Sequence, residues 1–135
     1  MNPLEEGTTP AIDFDKVAAI GQRGQRVVPV VLQDADSGEV LFVAYANRLA
    51  LEETLKTRRA VLWSTSRDEL WRKGETSGDV LDLVDVRVNC EQNSLLYRVR
   101  PRRGGCCHTR DAHGQARRTC YYRCLDETGA TLRFV

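Results

Sequence analysis

Three cysteines, Cys90, Cys107 and Cys120, are separated by 16 and 12 residues, and His108 directly follows the second of them. Three thiolates with one open position is the arrangement of a catalytic zinc, whereas a structural zinc closes all four positions. No CxxC pair is present, so the spacing is not that of a zinc finger. An imidazole beside such a metal could move the proton of a metal-activated water. The same cysteines also read as small buried hydrophobes. Cys106 and Cys124 are assigned to that class, although Cys106 adjoins Cys107 and could take its place on a metal.

Other polar groups concentrate in WRKGETSG (71–78). Arg67, Arg72, Lys73, Glu75, Thr76 and Ser77 supply charge and hydroxyls beside Gly74 and Gly78, which suits phosphate or ribose binding as well as a solvated turn. Trp63 and Trp71 read as core anchors rather than base-stacking platforms.

The elements that must position these residues are mostly strands. Val27–Gln33 and Glu39–Tyr45 flank Asp34-Ala35-Asp36-Ser37-Gly38 as a hairpin with a longer loop. Asn47 is an N-cap for a helix over Arg48–Thr57, with Leu51 and Leu55 on one face. Val61–Thr65, Val80–Cys90, Ser94–Arg100, Thr119–Leu125 and Thr131–Val135 read as further strands, and Asp13–Ile20 as a short helix showing Phe14, Val17, Ala18 and Ile20 to one side. Within Val80–Cys90, alternation puts Val84, Val86, Val88 and Cys90 on one face and Asp85, Arg87, Asn89 and Glu91 on the other. If alternation runs through the turn, Cys90 points away from Asn89, Glu91 and Asn93, a layout suited to a site shared between two copies. The fold class expected is α+β, mainly β: a compact mixed-sheet or pseudo-barrel domain over 13–135 with one main helix, behind a loose tail at 1–12.

A chain of 135 residues with 41% hydrophobic and 29% charged side chains is one globular domain. Its net charge of +1 gives no bulk field for nucleic acid or an anionic membrane, so an anionic ligand must be held by a few placed basic residues. No apolar run approaches a membrane span, and MNPLEEGTTP lacks the features of a signal peptide. The expected compartment is the cytoplasm, where an odd count of five cysteines favours thiols over disulfides.

The runs WRKGETSG (71–78), VNCEQNSLLYRV (88–99), GGCCHT (104–109) and TCYYR (119–123), with the hairpin and helix over 37–71, resemble the phosphoribosyl-AMP cyclohydrolase family of histidine biosynthesis. The similarity extends from about residue 25 to 123, roughly three-quarters of the chain. The resemblance implies hydrolysis of the N1–C6 bond of 1-(5-phosphoribosyl)-AMP by an intertwined homodimer. It implies one zinc per subunit, held by Cys90 of one subunit and Cys107 and Cys120 of the other. Zinc lowers the pKa of water toward about 7, and His108 is the expected proton acceptor. Two rivals stand beside this reading: a paralogue acting on another purine-like nucleotide, and a non-catalytic dimer in which the cysteines only hold zinc.

The chain departs from that family twice. Relatives carry Asp-Cys-Asp-x-Asp, whose carboxylates bind magnesium; here Asn89, Glu91 and Asn93 leave one carboxylate, so a magnesium site should be weaker. The Cys107–Cys120 gap is also lengthened around Asp111–Gln115, where His113 reads as a surface loop residue. With little chain after residue 123, no fused phosphoribosyl-ATP pyrophosphohydrolase domain is expected.

Overall fold

The architecture is taken from a computed structural model, which describes residues 2–135. Eight strands and three helices follow in the order α1 (Pro3–Glu6), α2 (Lys16–Gln22), β1 (Val28–Asp34), β2 (Val40–Ala46), α3 (Arg48–Thr57), β3 (Val61–Ser64), β4 (Glu69–Arg72), β5 (Leu81–Val88), β6 (Leu95–Pro101), β7 (Arg123–Leu125) and β8 (Leu132–Phe134). The fold is mainly β with a mixed sheet, as expected. A four-stranded sheet runs β2-β1-β6-β5, in which β1 pairs antiparallel with β2 but parallel with β6. β3 and β4 form a separate hairpin, as do β7 and β8.

The central strands β1 and β6 are the most buried, because they carry alternating apolar residues that face one core. Val30, Leu32, Tyr97 and Val99 have no exposed surface. Against that face pack α3 and the β3–β4 hairpin, with Leu62, Ala50 and Ala60 filling the interface.

α3 spans the expected residues, and Asn47 caps it by accepting a hydrogen bond from the Ala50 amide at 2.9 Å. Its buried residues, however, are Ala50 and Thr54, while Leu55 remains about half exposed. Small side chains let the helix approach β3 closely, where the Thr54 hydroxyl donates to the Ala50 and Val61 carbonyls. Of the two leucines expected to share a face, Leu51 packs against the core and only Leu55 stays outside it. α2 likewise buries only Ile20, leaving Phe14 and Val17 exposed.

Strand β5 corrects the expected alternation. Its register slips between Leu83 and Asp85, where an extra residue forms a bulge. Leu81 and Leu83 are therefore buried before the bulge, whereas Val86 packs against the core after it. Pairing ends at Val88, and Cys90 lies exposed in the turn beyond rather than on either strand face.

Two further differences concern the ends. Residues 2–8, expected to be loose, form α1 and dock on the chain's last third: Glu6 makes a two-pronged ion pair with Arg117 at 2.7 and 3.1 Å, and the Tyr122 hydroxyl donates to the Glu5 carbonyl at 2.8 Å. Of the strand expected over 119–125, only Arg123–Leu125 forms, and Cys124 is exposed rather than buried. Among the described residues no helix is long and apolar enough to cross a membrane.

Candidate active site

The polar stretch 67–78 supplies strand β4 and then a tight loop. Trp71 packs its ring 5.9 Å from that of Phe42 and anchors β4 to the core, as expected. Trp63 is only half buried and lines a groove at the other end of the sheet. After Arg72 the chain reverses through Gly74, whose φ of +81° and missing side chain allow the Asp79–Val80 backbone to pass against it.

This loop walls a cleft of about 400 Å³ that brings together Arg67, Arg72, Lys73, Glu75, Thr76 and Ser77, all six candidate substrate residues, with His108. Leu70, Asp79 and Arg110 complete the part of the lining nearest them. Asp79 and Arg110 carried no sequence signal, because only the folded chain brings 110 beside 67–77. Lys73 is distinctive: it is buried, and its ammonium has only the Asp79 carbonyl as a hydrogen-bond partner, at 3.5 Å. A buried cation so weakly satisfied is stabilised by an anion, whether thiolate or phosphate.

Cys107 and Cys120 do meet. Gly105 lets the chain fold against Ala116, and the Cys106 and Cys107 amides both donate to the Arg117 carbonyl, at 3.1 and 3.0 Å. The Cys120 amide donates to the Leu41 carbonyl at 2.8 Å, which fixes its backbone at the start of β2. The Cys107 thiol contacts the Thr109 hydroxyl at 3.0 Å, and the neighbouring Cys120 thiol, followed by burial, pushes the Cys107 thiol far above its ordinary pKa. Cys120 is pushed up to about 11, first by the neighbouring Cys106 thiol, while the nearby Lys73 charge opposes the rise. Cys106 is buried, as expected, and its thiol also donates to the Arg118 carbonyl at 2.9 Å. All five cysteines are free thiols.

Thiols packed this closely compete for protons, and a soft divalent cation relieves that competition by binding thiolates. The Cys107–Cys120 pair therefore fits zinc. Cys90 does not join it within one chain. It lies beyond β5 at one end of the sheet, while Cys120 lies by Leu41 near the other end, three strands away; strand geometry separates them by on the order of 20 Å.

The expected magnesium positions do not fit that ion. Asn89 accepts hydrogen bonds from the Asn93 and Ser94 amides at 3.0 and 2.9 Å, and its side-chain amide donates to Asn93 Oδ1 at 2.6 Å. Asn93 in turn donates to Glu91 Oε2 at 3.2 Å. These side chains close a turn around Gln92, with φ +56°, and hold one carboxylate where a hard cation needs several oxygens.

His108 is exposed at the cleft, and its Nε2 contacts Glu5 Oε2. His113 lies in an exposed turn within the 109–118 segment, closed by the Arg110–Ala116 bridge, and does not approach the thiols.

The chain is similar to known proteins over most of its length. The family model for phosphoribosyl-AMP cyclohydrolase matches residues 42–122. The chain is 47% identical over 113 residues to the phosphoribosyl-AMP cyclohydrolase of Alkalilimnicola ehrlichii, covering 84% of this chain and 75% of the relative. With that of Haloquadratum walsbyi it shares 45% identity over 107 residues, covering 79% and 76%. It is also 52% identical over 109 residues to the histidine biosynthesis bifunctional protein of Thermus thermophilus, covering 81% of this chain but only 48% of that longer protein.

Proposed function

The chain belongs to the phosphoribosyl-AMP cyclohydrolase family, and from that premise we propose that it opens the adenine ring of 1-(5-phosphoribosyl)-AMP at the N1–C6 bond by zinc-dependent hydrolysis. The observation that carries this reading is the cleft in which six polar residues of 67–77 meet His108, next to the Cys107–Cys120 thiol pair.

Arg67 and Arg72 bind phosphate oxygens, and buried Lys73 adds a fixed charge between the cleft and Cys120. Glu75, Thr76 and Ser77 offer hydrogen bonds to ribose hydroxyls. Cys107 and Cys120, with Cys90 of a second copy, would hold zinc, which would supply a Lewis acid that makes water nucleophilic at neutral pH. His108 takes the proton of the attacking water as its oxygen adds to C6, then returns it to N1 as the C6–N1 bond breaks. The N1-ribosylated ring is cationic, so C6 is already electron-poor. The separation of Cys90 from the thiol pair supports a shared homodimeric site, and exposed Phe14 and Val17 offer apolar surface for a partner. Any magnesium arrives on the substrate phosphates, not on the Asn89–Asn93 turn.

Incubating purified protein with 1-(5-phosphoribosyl)-AMP tests the reading. Formation of the formimino-carboxamide ribotide, abolished by a zinc chelator and restored by zinc, supports it; no turnover with zinc loaded overturns it.

A further inference from the structure

Asp79 lies two residues before β5, and its backbone is held on three sides. The Asp79–Val80 peptide passes against Gly74, the Asp79 amide donates to Ser77 Oγ at 3.2 Å, and the Val80 carbonyl accepts from the Arg102 amide at 2.8 Å. The residue is only 6% exposed, yet it lines the cleft together with His108. Glu69 and Glu75, the other carboxylates of that wall, are exposed to solvent.

The Asp79 carboxylate has no partner within the chain. Among the described residues no side chain or amide donates to it, and no basic group lies within 4.0 Å of it. Even Lys73 donates to the Asp79 backbone carbonyl and not to the carboxylate. Neither carboxylate oxygen is among the unpartnered polar atoms sealed from solvent, so the group still reaches open space, and the space beside it is the cleft and the concavity adjoining it. A carboxylate this far removed from water is stabilised by a cation that enters that space.

We propose that Asp79 is a specificity-determining residue: its carboxylate accepts a hydrogen bond from the exocyclic N6 of a cationic, N1-substituted adenine ring, so that the cleft selects the charged ring over a neutral one. The assignment rests on the function proposed above, which brings C6 of that ring to His108, and N6 is bonded to C6. Substitution at N1 joins N1, C6 and N6 in one amidinium, whose positive charge and N–H donors both match a buried carboxylate. The basic residues that attract phosphates, Arg67, Arg72, Lys73 and Arg110, repel that ring, and Asp79 offsets the repulsion inside the same cleft. As water adds to C6 the amidinium charge disappears, so Asp79 contributes to binding the ring more than to the chemical step.

Calorimetry on the zinc-loaded full chain tests this with two probes: 1-methyladenosine 5′-monophosphate, whose ring is cationic, and AMP, whose ring is neutral. The wild type is expected to bind the cationic probe roughly ten- to a hundredfold more tightly, as a charge-assisted hydrogen bond does. Asp79→Asn should bring that ratio to within about threefold, by weakening the cationic probe and leaving AMP nearly unchanged, a pattern that general loss of structure does not produce. Turnover of 1-(5-phosphoribosyl)-AMP should show the same split, with KM raised roughly tenfold or more and kcat within about threefold. A wild type that binds the cationic probe no better than AMP overturns the proposal. So does an Asp79→Asn variant that keeps the preference or weakens both probes alike. If Asp79→Asn does not fold, the wild-type ratio and Glu75→Gln decide: a preference that vanishes with Glu75 belongs to that exposed carboxylate and not to Asp79. A preference abolished by Asp79→Asn, in a protein that never turns the substrate over, sinks the cyclohydrolase reading and leaves Asp79 standing.

Discussion

Oε2 of Glu5 meets Nε2 of His108, so a residue of the first short helix and the neighbour of Cys107 share one hydrogen bond across 103 positions of sequence. The ring that faces the cleft is thereby oriented by a segment outside the family-matched residues 42–122. Glu5→Ala is expected to lower kcat roughly tenfold with little change in KM, because a proton-transfer group loses its orientation while the phosphate contacts stay. Glu6→Ala is the comparison. It breaks the Arg117 ion pair that docks the same helix but leaves Glu5 in place. Equal kcat losses in both variants would assign the effect to docking of α1, not to His108.

How far the sequence reaches is instructive at particular residues. The helix Arg48–Thr57 was legible to the residue, since Asn47 gives a sharp start and Arg58 adopts a left-handed conformation that ends it. The cleft was legible as a polar stretch with two glycines, and its six expected residues do come together. Three features were not. The bulge at Val84 reverses the faces of β5, and nothing local in a run of alternating valines and charges marks it. Cys90 therefore could not be aimed from its parity. Docking of residues 2–8 depends on Glu6 finding Arg117, a contact between positions with no shared pattern. Asp79 acquires meaning only once the fold shows that its carboxylate is buried without a partner.

Gly74 makes the cleft possible, and its substitution should show this. A Cβ there would lie 2.4 Å from the Asp79 carbonyl carbon and the Val80 nitrogen, at a φ of +81°. Backbone cannot yield as a flexible side chain does. Gly74→Ala is expected to destabilise the protein by about 2 kcal/mol or more, and to raise KM as the loop shifts. Gly114→Ala is the control, since it shares a positive φ of +76° but meets nothing within 4 Å. Its cost should stay near 1 kcal/mol, with KM unchanged. Chemical denaturation and steady-state kinetics of the two variants separate steric from conformational effects.

Acid should loosen both ends of the chain. The Asp126 carboxyl is held down to about 2, first by the Thr131 hydroxyl and then by the Ala130 amide and Thr128 hydroxyl, which favour its ionised form. Glu6 is likewise held below its ordinary value of 4.5, first by its hydrogen bond to Arg117. Because the folded state lowers both values, their stabilisation is present above the unfolded pKa values. For Asp126 it is lost as pH falls from its ordinary 3.8 toward about 2. Thermal melts from pH 6 to 2 are expected to show a falling Tm through that window. Asp126→Asn should start a few degrees lower at pH 6 and converge with wild type near pH 2. Parallel curves would mean that Asp126 does not titrate with folding.

The sharing of cysteines between copies can be read from a mixture of inactive proteins. Cys90→Ser removes the ligand at the β5–β6 turn, and Cys107→Ser removes one member of the thiol pair. Each alone should lose turnover by on the order of a hundredfold or more, because the zinc site is incomplete. In a mixed dimer, the Cys90→Ser subunit keeps Cys107 and Cys120 and receives Cys90 from its partner, so one of the two sites is whole. Random reassortment makes half the dimers mixed, and one good site in each gives about a quarter of wild-type activity, with zinc content rising in step. If each site instead drew all its ligands from one chain, no mixture could regain activity. The sheet that holds Cys90 at one end and Cys120 near the other predicts recovery, since no single copy brings the two sulfurs together.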